Sequence, residues 1–503
     1  MFPSLLAFLT AFVVSTLAAP LLGRVARRYG VVDAPDAHRK LHSNHVPLTG
    51  GPTLLLAGLF ALSTVLFLYP DVLKDTKGDR AFLTALFFAS LVIVGLGLFD
   101  DRYGLRGRQK LAGQLLAALI MLGGHITISR VTFLGLHLDF GHFAPLITVA
   151  WILGAINALN LIDGVDGLAS TTGIVLSLSI AAVTWVLGGR QDGFLVALIL
   201  AGSLSGFLIH NFPPAKMFLG DSGSMLIGLV LGAVALKSSI KSVGAAALIM
   251  PTAIWAIPIF DVAMAIIRRK LTGRSIYATD RSHLHHCLQR KGHSSGSLLL
   301  VVGSLCALTG IGAIAGSAMN SEAITLVVVA TAISLLVLTR SFGHTEAGLV
   351  RSRVMRFAGS MVRRPEQGAR PLTNERAHLH GNHDWERLWV TLTDFASRFE
   401  MDRVELMVSL PAIGEEYHAV WRRAFIAENH EVWKSEIPLI VDGLSVGHIR
   451  VIGAVGGGSI CGWMSELIGG LQAFEDQLLV LIEELQETNR DVPGVVESHV
   501  TNV

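Results

Sequence analysis

Long apolar stretches, separated by short polar ones, dominate the first two thirds of the chain. A bilayer core of about 30 Å needs roughly 20 apolar residues per helix. Eleven stretches approach that length, and we interpret them as membrane spans. They cover approximately residues 2–22, 46–68, 81–99, 111–124, 146–161, 168–187, 194–209, 225–236, 245–267, 298–319 and 323–338. The fourth and the eighth are short, so either could be broken or merged with a neighbour.

The first stretch could be mistaken for a secretory signal peptide. No basic region precedes it, and Pro20 follows Ala18 and Ala19, where a cleavage site would fall. Its apolar run is also long enough to cross a bilayer. We therefore expect it to be retained as the first span.

The pattern changes after Leu338. Residues 341–384 are polar and basic without sustained periodicity, which is typical of a linker. From Trp385 onward the spacing of apolar residues first fits a helix and then, over residues 404–410, alternates as in a strand. The sequence predicts a transmembrane domain over residues 1–340, a linker, and a soluble α+β domain over residues 385–503.

Two further signals belong to this C-terminal domain. The dipeptide Asp442-Gly443 separates two β-rich runs and predicts a hairpin turn. A helix is then predicted from about Met464 to Leu485. No catalytic constellation is visible in this part of the chain. The predicted fold class is thus an all-α polytopic membrane protein of about eleven helices, followed by a soluble α+β domain.

Composition supports this interpretation, because 51% of the 503 residues are hydrophobic, 16% are charged, and the mean hydropathy is +0.56. The three cysteines form neither a disulfide framework nor a zinc pattern. Most lysines and arginines of the membrane section lie in the loops after odd-numbered spans. By the positive-inside rule these loops are cytoplasmic, which puts the N-terminus outside and the C-terminus inside.

Polar residues that membrane helices rarely contain are grouped at the same side. Four clusters occur, each at the end of an odd-numbered span or after it: Asp100 and Asp101; Asn157, Asn160, Asp163 and Asp166; Asp221; and His283, His285 and His286. The acids and histidines did not enter the assignment of sides, so their agreement with the basic residues is independent support for one cytoplasmic site.

Carboxylates and carboxamides beside lysines and arginines suit a complex of Mg²⁺ with a diphosphate. Mg²⁺ takes oxygen ligands and keeps some waters, while the cations hold the phosphates. The spacing of three puts Asn157, Asn160 and Asp163 on one helical face. The sequence therefore favours chemistry on a metal-bound diphosphate.

Each cluster also has a purely structural interpretation. The pair Asp100 and Asp101 could be a helix end that meets water, and Asp163 and Asp166 could cap the next helix. The histidines have ligand chemistry for zinc, but their spacing suits a tetrahedral site poorly. Asp261, inside the ninth span, could snorkel, pair with another helix, or act directly.

Five long segments, in this order, resemble one known family. They are VDAPDAHRKLHSNHVPLTGG from Val32, FDDRYGLRGRQK from Phe99, NALNLIDGVDGLA from Asn157, NFPPAKMFLGDSGS from Asn211 and PIFDVAMAIIRRKLTGRSIYATDRSHLHH from Pro258. The chain is similar in these segments to the polyprenyl-phosphate N-acetylhexosamine-1-phosphate transferases, a family that includes the initiating enzymes of O-antigen, enterobacterial common antigen and teichoic acid linkage-unit synthesis. The resemblance covers most of residues 1–340 and leaves the C-terminal domain out.

The resemblance implies that a carrier phosphate attacks the β-phosphorus of UDP-GlcNAc and that UMP leaves. It implies Mg²⁺, with Mn²⁺ as an alternative, held by Asp221 and Asn160. The resemblance also implies carrier activation by Asp100 with Asp101 and charge neutralisation by Lys110. His283, His285 and His286 would contact diphosphate or sugar, with help from Arg281. Asp163 and Asp166 would contact the nucleotide or shape its pocket, and Asn157 would take part in substrate binding.

The implied partners are UDP-GlcNAc, undecaprenyl phosphate and the lipid bilayer of a bacterial inner membrane, with no nucleic acid. A homodimer and a regulatory partner of the C-terminal domain are left open.

Three other functions compete with this interpretation. The sister branch transfers phospho-MurNAc-pentapeptide, and it typically has an Arg where this chain has Leu48 and three consecutive histidines where this chain has Leu284 between two of them. A secondary transporter would need charged residues at mid-membrane and two repeated halves, which the sequence does not display. A sensor or scaffold would not need eleven spans with clustered acids.

Overall fold

The computed structural model describes residues 2–33, 46–73, 77–133, 136–188, 191–239, 249–271, 282–344, 346–348, 350–351, 354–355, 373–380, 385–398, 401–410, 415–423, 432–441 and 444–454. The chain divides into two compact units. The first comprises Met1–Arg269 and Ser275–Phe342, and the second comprises Lys270–Arg274 and Gly343–Val503.

Helices make up nearly all of the described part of the first unit. They are α1 (Phe2–Tyr29), α2 (Gly50–Leu68), α3 (Lys77–Tyr103), α4 (Gly107–Leu122), α5 (Ala144–Ile162), α6 (Leu168–Val186), α7 (Gln191–Asn211), α8 (Gly220–Ser239), α9 (Ile249–Ile254), α10 (Ala256–Leu271), α11 (Leu284–Arg290), α12 (Ser295–Ala318) and α13 (Glu322–Leu338). Two short antiparallel pairs accompany them: β1 (Val32–Asp33) with β2 (Val46–Pro47), and β3 (Arg130–Phe133) with β4 (Leu136–Asp139).

Eight of the described helices are long and apolar enough to cross a membrane, namely α1, α2, α3, α5, α6, α7, α8 and α12. The protein is therefore a polytopic membrane protein. The helix α13 is apolar but shorter, with 17 residues, and it lies where the eleventh span was predicted. The helix α4, with 16 residues, lies where the fourth span was predicted. The eighth predicted span, taken as short, is a full 20-residue helix.

The ninth predicted span is not one continuous helix. It is divided into α9 and α10 at Trp255. Pro258 has no backbone N–H, so the carbonyl of Ile254 cannot receive its usual helical hydrogen bond, and a break is expected there. Hydropathy alone does not register this loss, so the sequence indicates only one apolar stretch over residues 245–267.

A similar defect in α1 is repaired by another helix. Pro20 lies inside α1 and cannot donate to the carbonyl of Thr16, four residues earlier. The Nε2 atom of His210, in the last turn of α7, lies 2.9 Å from that carbonyl oxygen. A carbonyl oxygen only accepts, so His210 donates this hydrogen bond and joins α7 to α1.

The helix α8 lies at the centre of the first unit. Its span is 89% buried, and it packs against α3 and α5. Gly97 of α3 permits this packing, because a Cβ atom there would collide with the Cα atom of Ser222 near the start of α8. Near the other end of α8, the ammonium of Lys237 forms an ion pair at 3.5 Å with Asp192 of α7, and both side chains are buried.

The second unit contains a five-stranded antiparallel sheet. Its strands are β5 (Thr373–His380), β6 (Arg403–Leu410), β7 (Glu415–Arg422), β8 (Val432–Val441) and β9 (Leu444–Ala454), in the order β5-β7-β6-β9-β8. One helix, α14 (Glu386–Arg398), contributes Trp385, which precedes it, and Trp389 to the apolar core of this unit. The alternating run 404–410 lies in β6.

One boundary differs from the prediction. The strand β5 lies within residues 341–384, which were interpreted as a linker, and it pairs along its length with β7. Its sequence, TNERAHLH, lacks the alternation of apolar and polar residues by which strands are recognised, so the sequence pattern did not predict this strand. The predicted turn Asp442-Gly443 and the predicted helix 464–485 lie outside the described residues, although Val441 and Leu444 on either side of that turn are paired.

Candidate active site

Two acids and one lysine from three helices meet in the first unit. The Nζ atom of Lys110, in the first turn of α4, lies 2.7 Å from Oδ2 of Asp100 and 2.8 Å from Oδ2 of Asp221. Asp100 comes from the last turn of α3, and Asp221 from the first turn of α8. The ammonium of Lys110 thus joins Asp100, close by in the sequence, to Asp221, which lies 111 positions beyond Lys110.

Asp101 holds the start of α8 in place. Its Oδ1 atom accepts a hydrogen bond of 2.7 Å from the backbone amide of Asp221, and its Oδ2 atom accepts one of 3.3 Å from Ser222. The first amides of a helix have no partner within the helix, and the helix dipole favours a negative charge there. Asp101 therefore fixes the backbone that carries Asp221 and has little freedom left to contact a substrate.

The backbone amide of Leu105 fixes Asp100 in turn, because it donates a hydrogen bond of 2.6 Å to the Oδ1 atom. The turn between α3 and α4 thereby fixes one oxygen of Asp100 and leaves the other facing Lys110. Asp100, Asp101, Lys110 and Asp221 form a connected network, which we call the acid–lysine network.

The amides of α5 differ in their surroundings. Asn157 donates hydrogen bonds of 2.8 Å to the carbonyl of Leu153 and to Oε1 of the buried Gln114 on α4. Both of its N–H groups are occupied, so in this structure Asn157 joins two helices, and its predicted part in substrate binding stays a prediction. Asn160 is half-buried, and among the described residues its side chain has no hydrogen bond.

The loop between α5 and α6 carries Asp163 and Asp166. The Oδ2 atom of Asp166 accepts a hydrogen bond of 2.9 Å from the backbone amide of Ala215, which ties this loop to the segment before α8. Burial, followed by the negative charges of Asp221, Asp101 and Asp166, raises the pKa of Asp163 well above its ordinary value of 3.8. Asp163 therefore faces the same accumulation of negative charge as the acid–lysine network.

The histidines lie beside this loop. His285 is buried, and its Nε2 atom directly contacts Gly164, where a Cβ atom would collide with the ring; within the described chain this nitrogen has no hydrogen-bond partner. Burial and the nearby His286, His283 and Arg290 lower the pKa of His285 to about 3. The ring is therefore neutral at physiological pH. The ring centroid of His286 lies 4.2 Å from that of His285.

Most predicted site residues are thus in one unit and near one another. Direct contacts join the acid–lysine network, and electrostatic interaction relates it to Asp163 of the α5–α6 loop. The histidines contact that loop, at Gly164. Arg281 lies outside the described residues. The structure adds Gln114, a polar residue within a predicted span, and that position was the signal that could have identified it. It also shows a partner for Asp261, whose role the sequence left open: its Oδ2 atom is 3.1 Å from Nδ1 of His283.

The donor chemistry fits Mg²⁺. Two carboxylates of the network contact the Lys110 ammonium, and burial together with the negative charges of Asp221, Asp101 and Asp166 raises the pKa of Asp163. Among the residues that the structure describes, no three His, Cys, Asp or Glu side chains form a complete metal cage. Mg²⁺ is commonly bound by one or two carboxylates together with substrate phosphates, so such a cage is not required.

Comparison with known proteins identifies the family. A sequence model of glycosyl transferase family 4 matches residues 83–239, which include the acid–lysine network. The probable undecaprenyl-phosphate N-acetylglucosaminyl 1-phosphate transferase of Bacillus subtilis is 35% identical over 301 residues, which are 59% of this chain and 80% of that protein. The chain belongs to glycosyl transferase family 4.

Other relatives in this family differ in the sugar that their names specify. The decaprenyl-phosphate N-acetylglucosaminephosphotransferase of Mycobacterium leprae is 34% identical, over 58% of this chain and 79% of that protein. The phospho-N-acetylmuramoyl-pentapeptide-transferase of Shouchella clausii is 29% identical, over 62% of this chain and 96% of that protein. This family 4 chain is thus more similar to these two N-acetylglucosamine enzymes than to the S. clausii enzyme.

Proposed function

We propose that the protein transfers GlcNAc-1-phosphate, or a related HexNAc-1-phosphate, from the UDP-sugar to undecaprenyl phosphate and releases UMP. The product initiates a cell-envelope glycan. The observation that carries the proposal is the Lys110 ammonium, 2.7 Å and 2.8 Å from two carboxylates of different helices. Phosphoryl transfer depends on positioning and charge neutralisation, and this arrangement can supply both.

In the proposed reaction, a phosphate oxygen of the carrier forms a bond to the β-phosphorus of the donor. The bond from that phosphorus to the bridging oxygen breaks, and UMP leaves with the electron pair. Asp100 orients the carrier phosphate or removes its proton, and Lys110 neutralises phosphate charge. Asp101 keeps Asp221 in place through the backbone of α8.

The remaining residues act on the donor. Asp163 and Asp166 contact the nucleotide or shape its pocket. His285, neutral because its pKa is about 3, holds an oxygen of the diphosphate or sugar without adding charge. Asp221 and Asn160 would hold Mg²⁺, which when bound stabilises the negative charge that develops on the leaving group.

The preference for GlcNAc over MurNAc-pentapeptide has two supports. Leu48 and the interrupted histidines resemble the GlcNAc branch. The B. subtilis and M. leprae relatives named for N-acetylglucosamine are 35% and 34% identical, against 29% for the S. clausii pentapeptide transferase.

We also propose eleven membrane crossings, with α9 and α10 together making the ninth, in a bacterial inner membrane. The distribution of lysines and arginines supports a cytoplasmic active site and a cytoplasmic C-terminus. The sheet and helix of residues 373–454 support a separate soluble α+β domain at that end.

A comparison of donors tests the proposed function. Membranes containing the protein receive undecaprenyl phosphate and either UDP-GlcNAc or UDP-MurNAc-pentapeptide, each with and without Mg²⁺, and released UMP is measured. We expect release with UDP-GlcNAc and Mg²⁺. UMP release with UDP-MurNAc-pentapeptide but not with UDP-GlcNAc would reassign the protein to the sister branch. UMP release that does not depend on Mg²⁺ would contradict the proposed metal requirement.

Omission of the carrier separates two chemical routes. If the carrier attacks directly, UDP-GlcNAc and enzyme alone release no UMP. A burst of UMP equal to the amount of enzyme would instead require a covalent intermediate on one of the carboxylates.

A further inference from the structure

The helix α10 contains one buried carboxylate that the proposed reaction does not use. Asp261 is 1% exposed, although the residues around it in α10 are mostly apolar. An ionisable side chain within a membrane helix is costly unless it is paired, so its partners indicate its purpose. Both of its oxygens are engaged by the same short segment.

Those partners are the first residues of the histidine cluster. The Oδ2 atom of Asp261 lies 3.1 Å from Nδ1 of His283, and the Oδ1 atom accepts a hydrogen bond of 2.9 Å from the backbone amide of Leu284. One carboxylate thus fixes both a ring and the main chain beside it. This combination restricts the rotation of the His283 ring and the entry of the chain into α11.

A second residue of α10 holds the same segment. Arg268 is also buried, and its Nη2 atom donates a hydrogen bond of 2.9 Å to the backbone carbonyl of Ser282. Three consecutive residues, 282–284, are therefore attached to α10 from one side.

The segment in turn determines where His285 points. The rings of His283 and His285 are nearly parallel, at 7° with centroids 6.1 Å apart. His285 projects its Nε2 atom onto Gly164, next to Asp163 in the α5–α6 loop. A shift of residues 282–284 relative to α10 would move this nitrogen away from the loop.

We propose that Asp261 is a positioning residue for the transfer reaction. It acts through His283 and the backbone of Leu284 to orient the histidines against the loop that carries Asp163. The proposal rests on the proposed function, in which these histidines and that loop contact the donor.

Steady-state kinetics of Asp261→Asn and Asp261→Ala test this role. Loss of a partner that orients a functional imidazole typically costs on the order of 10-fold to 100-fold. We expect kcat/KM for UDP-GlcNAc to fall by about that factor in Asp261→Ala, with the KM for undecaprenyl phosphate unchanged. Asp261→Asn can still accept from Leu284, so its loss should be smaller.

Asp192→Asn is the matched control. Asp192 is likewise buried and charge-paired, with Lys237, but it belongs to neither the network nor the histidine cluster. We expect this variant to lower thermal stability and to leave kcat/KM for the donor near that of the wild type. Equal kinetic losses in Asp192→Asn and Asp261→Asn would assign Asp261 a stabilising role only.

A double-mutant cycle with His283→Gln adds a readout that a structural role would not change. If Asp261 acts through His283, Asp261→Asn should cost little further activity once His283 is replaced. Additive losses, or wild-type kinetics in Asp261→Ala, would overturn the positioning role alone. Absence of UMP release by the wild-type protein with UDP-GlcNAc would overturn the proposed function instead.

Discussion

Lys110 is the residue on which the network converges. Its single ammonium balances two carboxylates that reach it from different helices, and it lies within 3 Å of both. Removal of its charge would leave Asp100 and Asp221 to repel each other in a partly buried site. Lys110 therefore affects both the assembly of the site and its attraction for phosphate.

Lys110→Met should lower turnover by about 100-fold or more, the usual effect of removing one preorganised electrostatic group from an active site. UMP release in membranes with matched protein levels measures it. Arg108→Met is the control, because Arg108 lies on the same helix and is exposed. Near-normal turnover of Lys110→Met would remove Lys110 from the reaction.

Asp163 provides a test through the pH dependence of stability. Its pKa is raised in the folded protein, so the folded state binds this proton more tightly than the unfolded state. The resulting stabilisation is complete below the ordinary pKa of 3.8 and is lost as pH rises through the folded-state value. Asp163→Asn, which does not ionise, should therefore gain stability relative to the wild type as pH rises.

Thermal unfolding in detergent with a chelator, from about pH 5 to about pH 9, follows this difference. The melting temperature of Asp163→Asn minus that of the wild type should increase as pH rises. A constant gap over the whole range would mean that Asp163 does not titrate there.

The sequence could predict which residues gather, but not what each contacts. Asp100 and Asp221 end or begin helices on one side of the membrane, and helix ends on one side share a layer. The capping of α8 by Asp101 depends on the approach of α3 and α8, which no local pattern encodes. The pairing of Asn157 with Gln114 likewise requires knowledge of which faces of α4 and α5 meet.

Among the helices, the contact between α1 and α7 has an unusual element. The imidazole of His210 replaces a hydrogen bond that Pro20 removes from α1. In the bilayer core, no water is available to donate a hydrogen bond to a backbone carbonyl that has no protein partner. His210 thus stabilises α1 at the turn where its own hydrogen bonding fails.

His210→Ala should reduce stability by about 1 kcal/mol, the net value of a typical hydrogen bond. In a Pro20→Ala background the same change should cost less, because the N–H of residue 20 can again donate to Thr16. Thermal unfolding of the four variants measures both effects. His142→Ala, at an exposed histidine, is the control. Equal costs in the two backgrounds would contradict this account.

At the same scale, hydropathy located helices well and their interruptions poorly. The first residues of α5, α6 and α13 lie within two residues of the predicted ones, because the boundary between polar and apolar sequence is sharp there. The break between α9 and α10 and the full length of α8 depend on proline chemistry and on polar residues at the helix ends, which an apolar window discounts.

For the whole molecule, the site residues that the structure describes all belong to the first unit. The sheet of the second unit has its own apolar core, which includes Trp385 and Trp389. Nothing in the proposed chemistry requires a side chain from that sheet.

Truncation after Phe342 should therefore retain transfer activity within a few-fold of the full chain. The comparison uses UMP release per inserted protein, with Lys110→Met in the truncated chain as the inactive reference. A loss comparable to that reference would show that residues 343–503 are needed for catalysis, and the separation of roles would be wrong.

The close approach at Gly97 has a consequence for how this enzyme can vary. Because main chain lies against main chain where α3 meets Ser222, no side chain is available there to absorb a change. Exposed apolar residues such as Leu5 or Leu9 can be replaced by other apolar residues without a change in packing. One added methyl group at position 97, in contrast, would displace the start of α8 and move Asp221 away from Lys110. The position of Asp221 relative to Lys110 thus depends on the absence of a Cβ atom at residue 97.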